Sequence, residues 1–304
     1  MWYAAAGASA APPAGQAVSF QAADGFRLSA DYYPPSSTAG DAPFVILLHM
    51  YRSDRTAWAP LIEPLHAAGL AILALDLRGH GESATTESRD RVIARESAIF
   101  REMQADLRGA YDWIVTQPHI DRARFALVGA SVGASVALQC AAKDRSVDAV
   151  VCLSPGLDYL GLDSAGDIAQ IMGRSALMLA TEDERDAPYT LRSRGRDVEV
   201  KIYRNLRAHG TDMLGKIPHV ERDVVDFLRK ALGQPAEQPV YGSINSDVYH
   251  LKGSEWIAQI SPTNLRVYSS AAEAEARGLR RARSQGPGDN PGSGDTPPQP
   301  RRRP

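Results

Sequence analysis

The chain is poor in the residues that would commit it to metal or redox chemistry. Only two cysteines occur, Cys140 and Cys152. Neither stands in a C-x-x-C pair or near a metal-spaced histidine, which argues against a disulfide scaffold and a thiolate zinc site. Both lie in apolar runs, so two buried free thiols are expected, although the sequence leaves a disulfide open. No apolar run reaches the ~20 residues that a membrane-spanning helix needs. Excess charge is also missing. Lys and Arg number 34 against 36 Asp and Glu, so neither nucleic acid nor an acidic membrane is expected as a partner. The triplet Arg301, Arg302 and Arg303 reads as part of a solvated tail.

Periodicity is lacking at both ends. Residues 1–16 are mostly Ala, Pro and Gly and read as a disordered leader. The small-residue stretch MWYAAAGASAAPPAG resembles the cleavage region of an export signal but has no basic segment before it. It points to an exported protein, periplasmic or secreted, with the cytoplasm as the alternative. Residues 285–304 are rich in Pro, Gly and Arg and read as a disordered tail.

Between these ends the pattern is strong. Residues 26–32 alternate apolar with polar, as a half-exposed strand does. FVILLHM (44–50), LAILALDL (70–77), FALVGA (125–130), AVVCLSP (149–155) and ALMLATED (176–183) are continuous apolar runs suited to fully buried strands. EVKIYRN (199–205) reads as a further strand. Helical patterns fall at about 55–68, 92–115, 132–142 and 218–233. Buried strands alternating with helices predict an α/β fold, a mostly parallel sheet covered by helices on both faces. Such sheets carry their sites at the carboxyl ends of the strands, which directs attention to the residues that follow each apolar run.

One of these is Ser131, in GASVG (129–133). A serine on a tight strand-to-helix turn takes strained backbone angles and needs small neighbours, and the turn lifts its hydroxyl above the sheet. The N-terminus of the following helix aims free N–H groups at the same place. A bare N-cap between helix-packing glycines is the competing reading. A nucleophilic serine needs a base. His209 lies in a loop beyond the last strand, before Gly210. The acidic cluster ATEDERDAP (180–188) follows the preceding strand. Asp183 is the chosen carboxylate to orient the imidazole, with Glu182, Glu184, Asp186 and the more distant Asp158 as competitors. The order Ser131, Asp183, His209 is nucleophile, acid, base.

With these residues in place, the sequence resembles an α/β-hydrolase of the small, dienelactone-hydrolase or carboxylesterase-like kind, over about residues 17–233. Besides GASVG and AHG, LLHMYRSDRTAW (47–58) and LDLRGHGES (75–83) carry the resemblance. It implies that Asp76, Arg78 and His80 shape a loop, with His80 as a minor alternative base. It also implies an oxyanion hole from the N–H groups of Tyr51 and Val132, with Met50 standing where relatives carry glycine. The reaction implied is two-step hydrolysis of an ester through an acyl-enzyme, with no cofactor. A hydrolase-fold binding protein without turnover, and a peptidase or thioesterase using the same residues, are the alternatives. The short connection between 155 and 176 leaves no room for a large helical lid. It predicts an open site for small-molecule or surface-presented esters, lined by Tyr51, Trp58, Tyr159 and Leu160.

After a linker at 234–239 the texture changes. Residues 240–284 resemble the small Ada-type zinc-binding module in Tyr241, Gly242, Asn245, YHL (249–251), ISP (260–262), Asn264, VY (267–268), Ser270 and Gly278. The family's cysteines would fall at Ser254, Ala282 and Gln285. The resemblance therefore implies a small α+β module without zinc ligands, held by Tyr249, Trp256, Ile260 and Tyr268, with an unknown partner.

Overall fold

Runs of Val, Ile, Leu and Ala build the centre of the molecule. The computed structural model describes residues 14–282, apart from 38–39, 172, 234–239, 252–253, 262, 269–273 and 276. The expectations for the leader (up to residue 13), the linker and the tail therefore lie outside the described residues. The chain divides into two compact units, Met1–Pro235 and Ala236–Pro304.

In the first unit, β1 (Gln16–Gln21) and β2 (Arg27–Tyr33) form an antiparallel pair. They are followed by β3 (Ala42–Leu48), α1 (Ala59–Ala67), β4 (Ala71–Asp76), α2 (Thr86–Ile93), α3 (Ser97–Ile114) and β5 (Ile120–Ala130). Next come α4 (Val132–Lys143), β6 (Ala149–Leu153), a hairpin of β7 (Asp158–Tyr159) and β8 (Leu162–Asp163), and α5 (Ser164–Ile168). The unit ends with β9 (Ser175–Thr181), α6 (Asp186–Arg194), β10 (Val198–Tyr203) and α7 (Val220–Leu232). Eight strands form one sheet in the order β1-β2-β4-β3-β5-β6-β9-β10. β2 runs antiparallel to β4, and every pairing from β4 to β10 is parallel. This is the α/β-hydrolase fold, with helices on both faces.

The alternation of each strand decides which layer it feeds. Along β3, Phe44, Ile46 and Leu48 pack with residues of α3 and α4, whereas Val45 and Leu47 pack with residues of α1 and α7. Both sets are fully buried, as a strand covered on two faces requires. Truncating one such Leu to Ala costs about 2–5 kcal/mol. Both cysteines are buried and free.

The sequence pattern is corrected at two places. The single helix expected over 92–115 is two, because Arg95 takes φ +55° and turns the chain between α2 and α3. Arg91 holds that corner through Glu96 and Glu102. The helix expected over 55–68 begins as a 3-10 turn at Arg55–Trp58, capped by the Asp54 side chain.

In the second unit, β11 (Val240–Ser243), β12 (Val248–His250), β13 (Leu265–Tyr268) and β14 (Arg280–Arg281) form a sheet in the order β13-β11-β12-β14. Val240, Tyr249 and Ala274 make a small core, with Tyr268 packed against it. Tyr249 also donates to Glu275 at 2.7 Å. Trp256, expected to help hold this module, is 53% exposed.

Candidate active site

Ser131 sits between the end of β5 and the start of α4 with φ +52° and ψ −117°, a conformation that L-residues rarely adopt. Its N–H donates to the Leu153 carbonyl at 2.8 Å, which ties the turn to β6. The glycines on either side are required by close approach. A Cβ on Gly129 would come within 2.3 Å of the Gly133 carbonyl oxygen, and one on Gly133 within 2.2 Å of the Leu48 carbonyl oxygen. Any side chain at either position would push α4 off the sheet, so the motif is a steric condition for the turn. As the first residue of α4, Val132 carries an N–H with no intrahelical acceptor.

The imidazole lies across the sheet edge. His209 follows β10, and its Nδ1 is 2.5 Å from Glu184 Oε1. The Glu184 hydrogen bond, reinforced by its charge, raises the His209 pKa above its ordinary value against the opposing effect of burial. Burial pushes the Glu184 carboxyl up, but the His209 hydrogen bond, above all, together with the nearby Ser154 hydroxyl outweighs it and holds the carboxyl below its ordinary value. The imidazole is thus oriented by an ionised carboxylate. Gly210 takes φ +56°, and a Cβ there would meet Met50 Sδ at 2.9 Å and Ala130 Cβ at 3.5 Å. The loop of His209 therefore packs directly against the residue before Ser131.

The carboxylate at His209 is a correction to the expected Asp183. Residues Glu182–Glu184 form a 3-10 turn, in which successive side chains point about 120° apart. The third acid faces His209 and the second does not. Asp183 instead accepts from Thr181 Oγ1 at 2.7 Å and lies 3.8 Å from Arg207. The Thr181 bond, above all, lowers its pKa. A groove of about 760 Å³ beside this turn is lined by Glu182, Asp183, Asp186 and the 205–207 loop. It includes neither Ser131 nor His209. Four acids within five residues give no sign of which faces inward, so only the turn geometry could identify Glu184.

The loop after β3 is built around His49, which is fully buried. Its Nε2 accepts from the Leu77 N–H at 3.1 Å, so Nδ1 carries the proton and donates to the Met50 carbonyl at 2.8 Å. Ser53 N–H donates to the same carbonyl at 3.2 Å. That carbonyl belongs to the peptide unit whose N–H is Tyr51's, so His49 fixes the direction of the expected oxyanion donor. Burial first, then the neighbouring His80, push the His49 pKa down to about 3. His80, the minor alternative base, stacks edge-on against His49 with ring centroids 4.9 Å apart. Its pKa is lowered, chiefly by burial, and no carboxylate among the described residues hydrogen-bonds it. Asp76 holds the same loop, accepting from the N–H groups of Arg55 at 2.7 Å and Glu82 at 2.8 Å. Arg78 is spanned by Asp106 and Asp24.

The expected site lining divides. Tyr159 lies beside Ser131. Burial, then the Glu184 charge, raise the phenol above its ordinary value, and a hydrogen bond with Ser131 opposes them. Leu160 is the φ +55° residue of the β7–β8 turn and packs partly against the core. Tyr51 sends its hydroxyl to the Val92 carbonyl at 3.2 Å, with its ring against Phe100 and His80. Trp58 is a correction. It is fully buried between sheet and helix, in the core with Leu61 and Met213, and lines no open site. Periodicity could not separate these roles, because an aromatic residue at a helix start serves either. Ser154, just after β6, was not singled out from sequence. It has φ +49° and accepts the Gly210 N–H at 2.9 Å.

Comparisons with known proteins agree with this architecture. The family described as serine aminopeptidase, S33 matches residues 42–204. An uncharacterized protein of Mycobacterium tuberculosis is 35% identical over 148 residues, 49% of this chain and 48% of that protein. The match thus spans about half the length of this curated relative. Among solved structures, an esterase of Pyrococcus furiosus superposes with TM-score 0.58 at 20% identity, over 72% of this chain and 91% of the other. Dienelactone hydrolase from Anabaena variabilis superposes with TM-score 0.57 at 21% identity, over 73% of this chain and 97% of the other.

Proposed function

The chain belongs to the serine aminopeptidase S33 family of α/β-hydrolases, and from that premise we propose that it is a serine hydrolase that cleaves esters through an acyl-enzyme. The observation that carries this reading is the pair His209 and Glu184 at 2.5 Å, set in the loop packed against the strained turn of Ser131. Ser131 is the nucleophile and His209 the base. Glu184 replaces Asp183 as the carboxylate that orients and stabilises the imidazolium.

In the first step His209 Nε2 takes the Ser131 proton as Oγ bonds to the ester carbonyl carbon. The oxyanion rests on the N–H groups of Tyr51 and Val132, each such donor being worth about 3–4 kcal/mol in the transition state. His209 returns the proton to the departing alcohol. Water, deprotonated by the same imidazole, then releases the acid and frees Ser131. Small or surface-presented esters suit the site, because a two-stranded hairpin and the five-residue α5 are the regular elements described between β6 and β9. The neighbours named as an esterase and a dienelactone hydrolase favour the same bond class.

The family description favours a second reading, in which the same residues cleave an N-terminal peptide bond. A fluorophosphonate probe with adduct mapping tests the shared premise. We expect labelling at Ser131 that disappears in His209→Ala. Absence of labelling would leave a hydrolase-fold binding protein. Turnover of p-nitrophenyl acetate without turnover of aminoacyl p-nitroanilides supports the esterase, and the reverse supports the peptidase. For the second unit, the proposal remains a module of Ada-like ancestry without zinc. Stoichiometric zinc in the purified full chain would overturn it.

A further inference from the structure

Ser154, directly after β6, is held at a strained positive φ, +49°, as Ser131 directly after β5 is at +52°. Its backbone is pinned, with its N–H donating to the Leu179 carbonyl at 2.7 Å. Its side chain is buried and reaches between the two loops that carry the base and the acid. Oγ accepts the Gly210 N–H at 2.9 Å, one residue from His209. Having accepted, the hydroxyl still has a proton to donate.

Two acceptors are near. Met213 Sδ lies at 3.6 Å and is a weak acceptor. The other is the Glu184 carboxylate, which the Ser154 hydroxyl approaches closely enough to favour its ionised form. Its Oε1 accepts from His209 Nδ1, while Oε2 is buried and meets no partner at ordinary hydrogen-bond distance among the described residues. A buried carboxylate oxygen left bare is costly, and a bond to a charged acceptor is stronger than one to a thioether.

We propose that Ser154 is a positioning residue, its hydroxyl accepting from Gly210 and donating to Glu184 Oε2, so that one side chain on β6 locks the acid and the base loops in register. The Ser154 hydroxyl already lowers the Glu184 pKa, against burial and alongside His209. The strained φ is then the cost of aiming this hydroxyl between the two loops. The inference rests on the proposed roles of His209 and Glu184.

The test uses the full chain, with Ser154→Ala, which removes the hydroxyl, and Ser154→Gly, which also relieves the positive φ. The readouts are the low-field proton resonance of His209 Nδ1–H, and kcat and KM on p-nitrophenyl acetate. Thermal melts confirm folding. We expect both variants to lose about tenfold to a hundredfold in kcat with little change in KM, and the Nδ1 proton to move upfield or vanish by exchange. An unchanged resonance and kcat in folded Ser154→Ala would overturn the proposal. So would recovery of both in Ser154→Gly, which would make strain rather than the hydroxyl responsible. A wild type that shows the resonance but does not react with fluorophosphonate would defeat the catalytic reading, while the resonance would still test the Ser154 bridge.

Discussion

Two histidines stand on neighbouring loops of one sheet edge and are driven in opposite directions. His209 is half-exposed and faces a carboxylate, so its pKa is raised. His49 is fully buried among backbone groups and another imidazole, so its pKa falls to about 3. One ring is kept ready to accept a proton. The other is kept neutral so that it can donate with one nitrogen and accept with the other. The partner, rather than depth alone, separates the two: without Glu184, burial would push His209 down as well.

Removing each partner is the direct way to break that contrast. The largest effect is expected for His209→Ala, with kcat falling by about three orders of magnitude or more in a steady-state ester assay. Glu184→Gln should follow, with a loss of about 10²–10⁴. It also carries a pH signature. The acid limb of kcat/KM reports the neutral imidazole, so in wild type its midpoint lies above 6.5 and in Glu184→Gln it falls to that ordinary value or below it. If the midpoint stays put, Glu184 is not the partner that sets it.

His49→Gln tests the other side. It should lower stability by about 1–3 kcal/mol at neutral pH, read from the denaturant midpoint, because buried donors and acceptors lose their geometry. The pH slopes of the two sites are opposite in sign. A depressed pKa means that the His49 contribution is full above 6.5 and is lost as pH falls from 6.5 towards 3. The slope is up to about 1.4 kcal/mol per pH unit. That acid-side loss should be absent in His49→Gln. The raised pKa of His209 gives stability that is full below 6.5 and is lost as pH rises through its folded value. The smallest effect is expected for Asp183→Asn, within about twofold in kcat. A loss as large as that of Glu184→Gln would restore Asp183 as the working carboxylate.

The sheet was legible because its signal is redundant. Each buried strand is a run of several apolar residues, and one misjudged position leaves the run intact. The bend at Arg95 was not legible, since both helices it joins share one amphipathic texture. At the site, legibility followed steric uniqueness. GASVG states its own condition, because any larger residue at 129 or 133 collides with backbone. Glu184 has no such mark. It differs from Asp183 by one methylene and by its place on a 3-10 turn.

Composition and local pattern thus suffice for the strand runs, the small residues around Ser131 and the loop that carries His209, because each depends on interactions between near neighbours in the chain. Choosing Glu184 over Asp183, burying Trp58 and placing Ser154 between two loops depend on groups tens of residues apart meeting in three dimensions. Ser154 and Gly210 are 56 positions apart, and His209 and Glu184 are 25. Packing, which local pattern does not encode, decides which of several equivalent side chains reaches its partner.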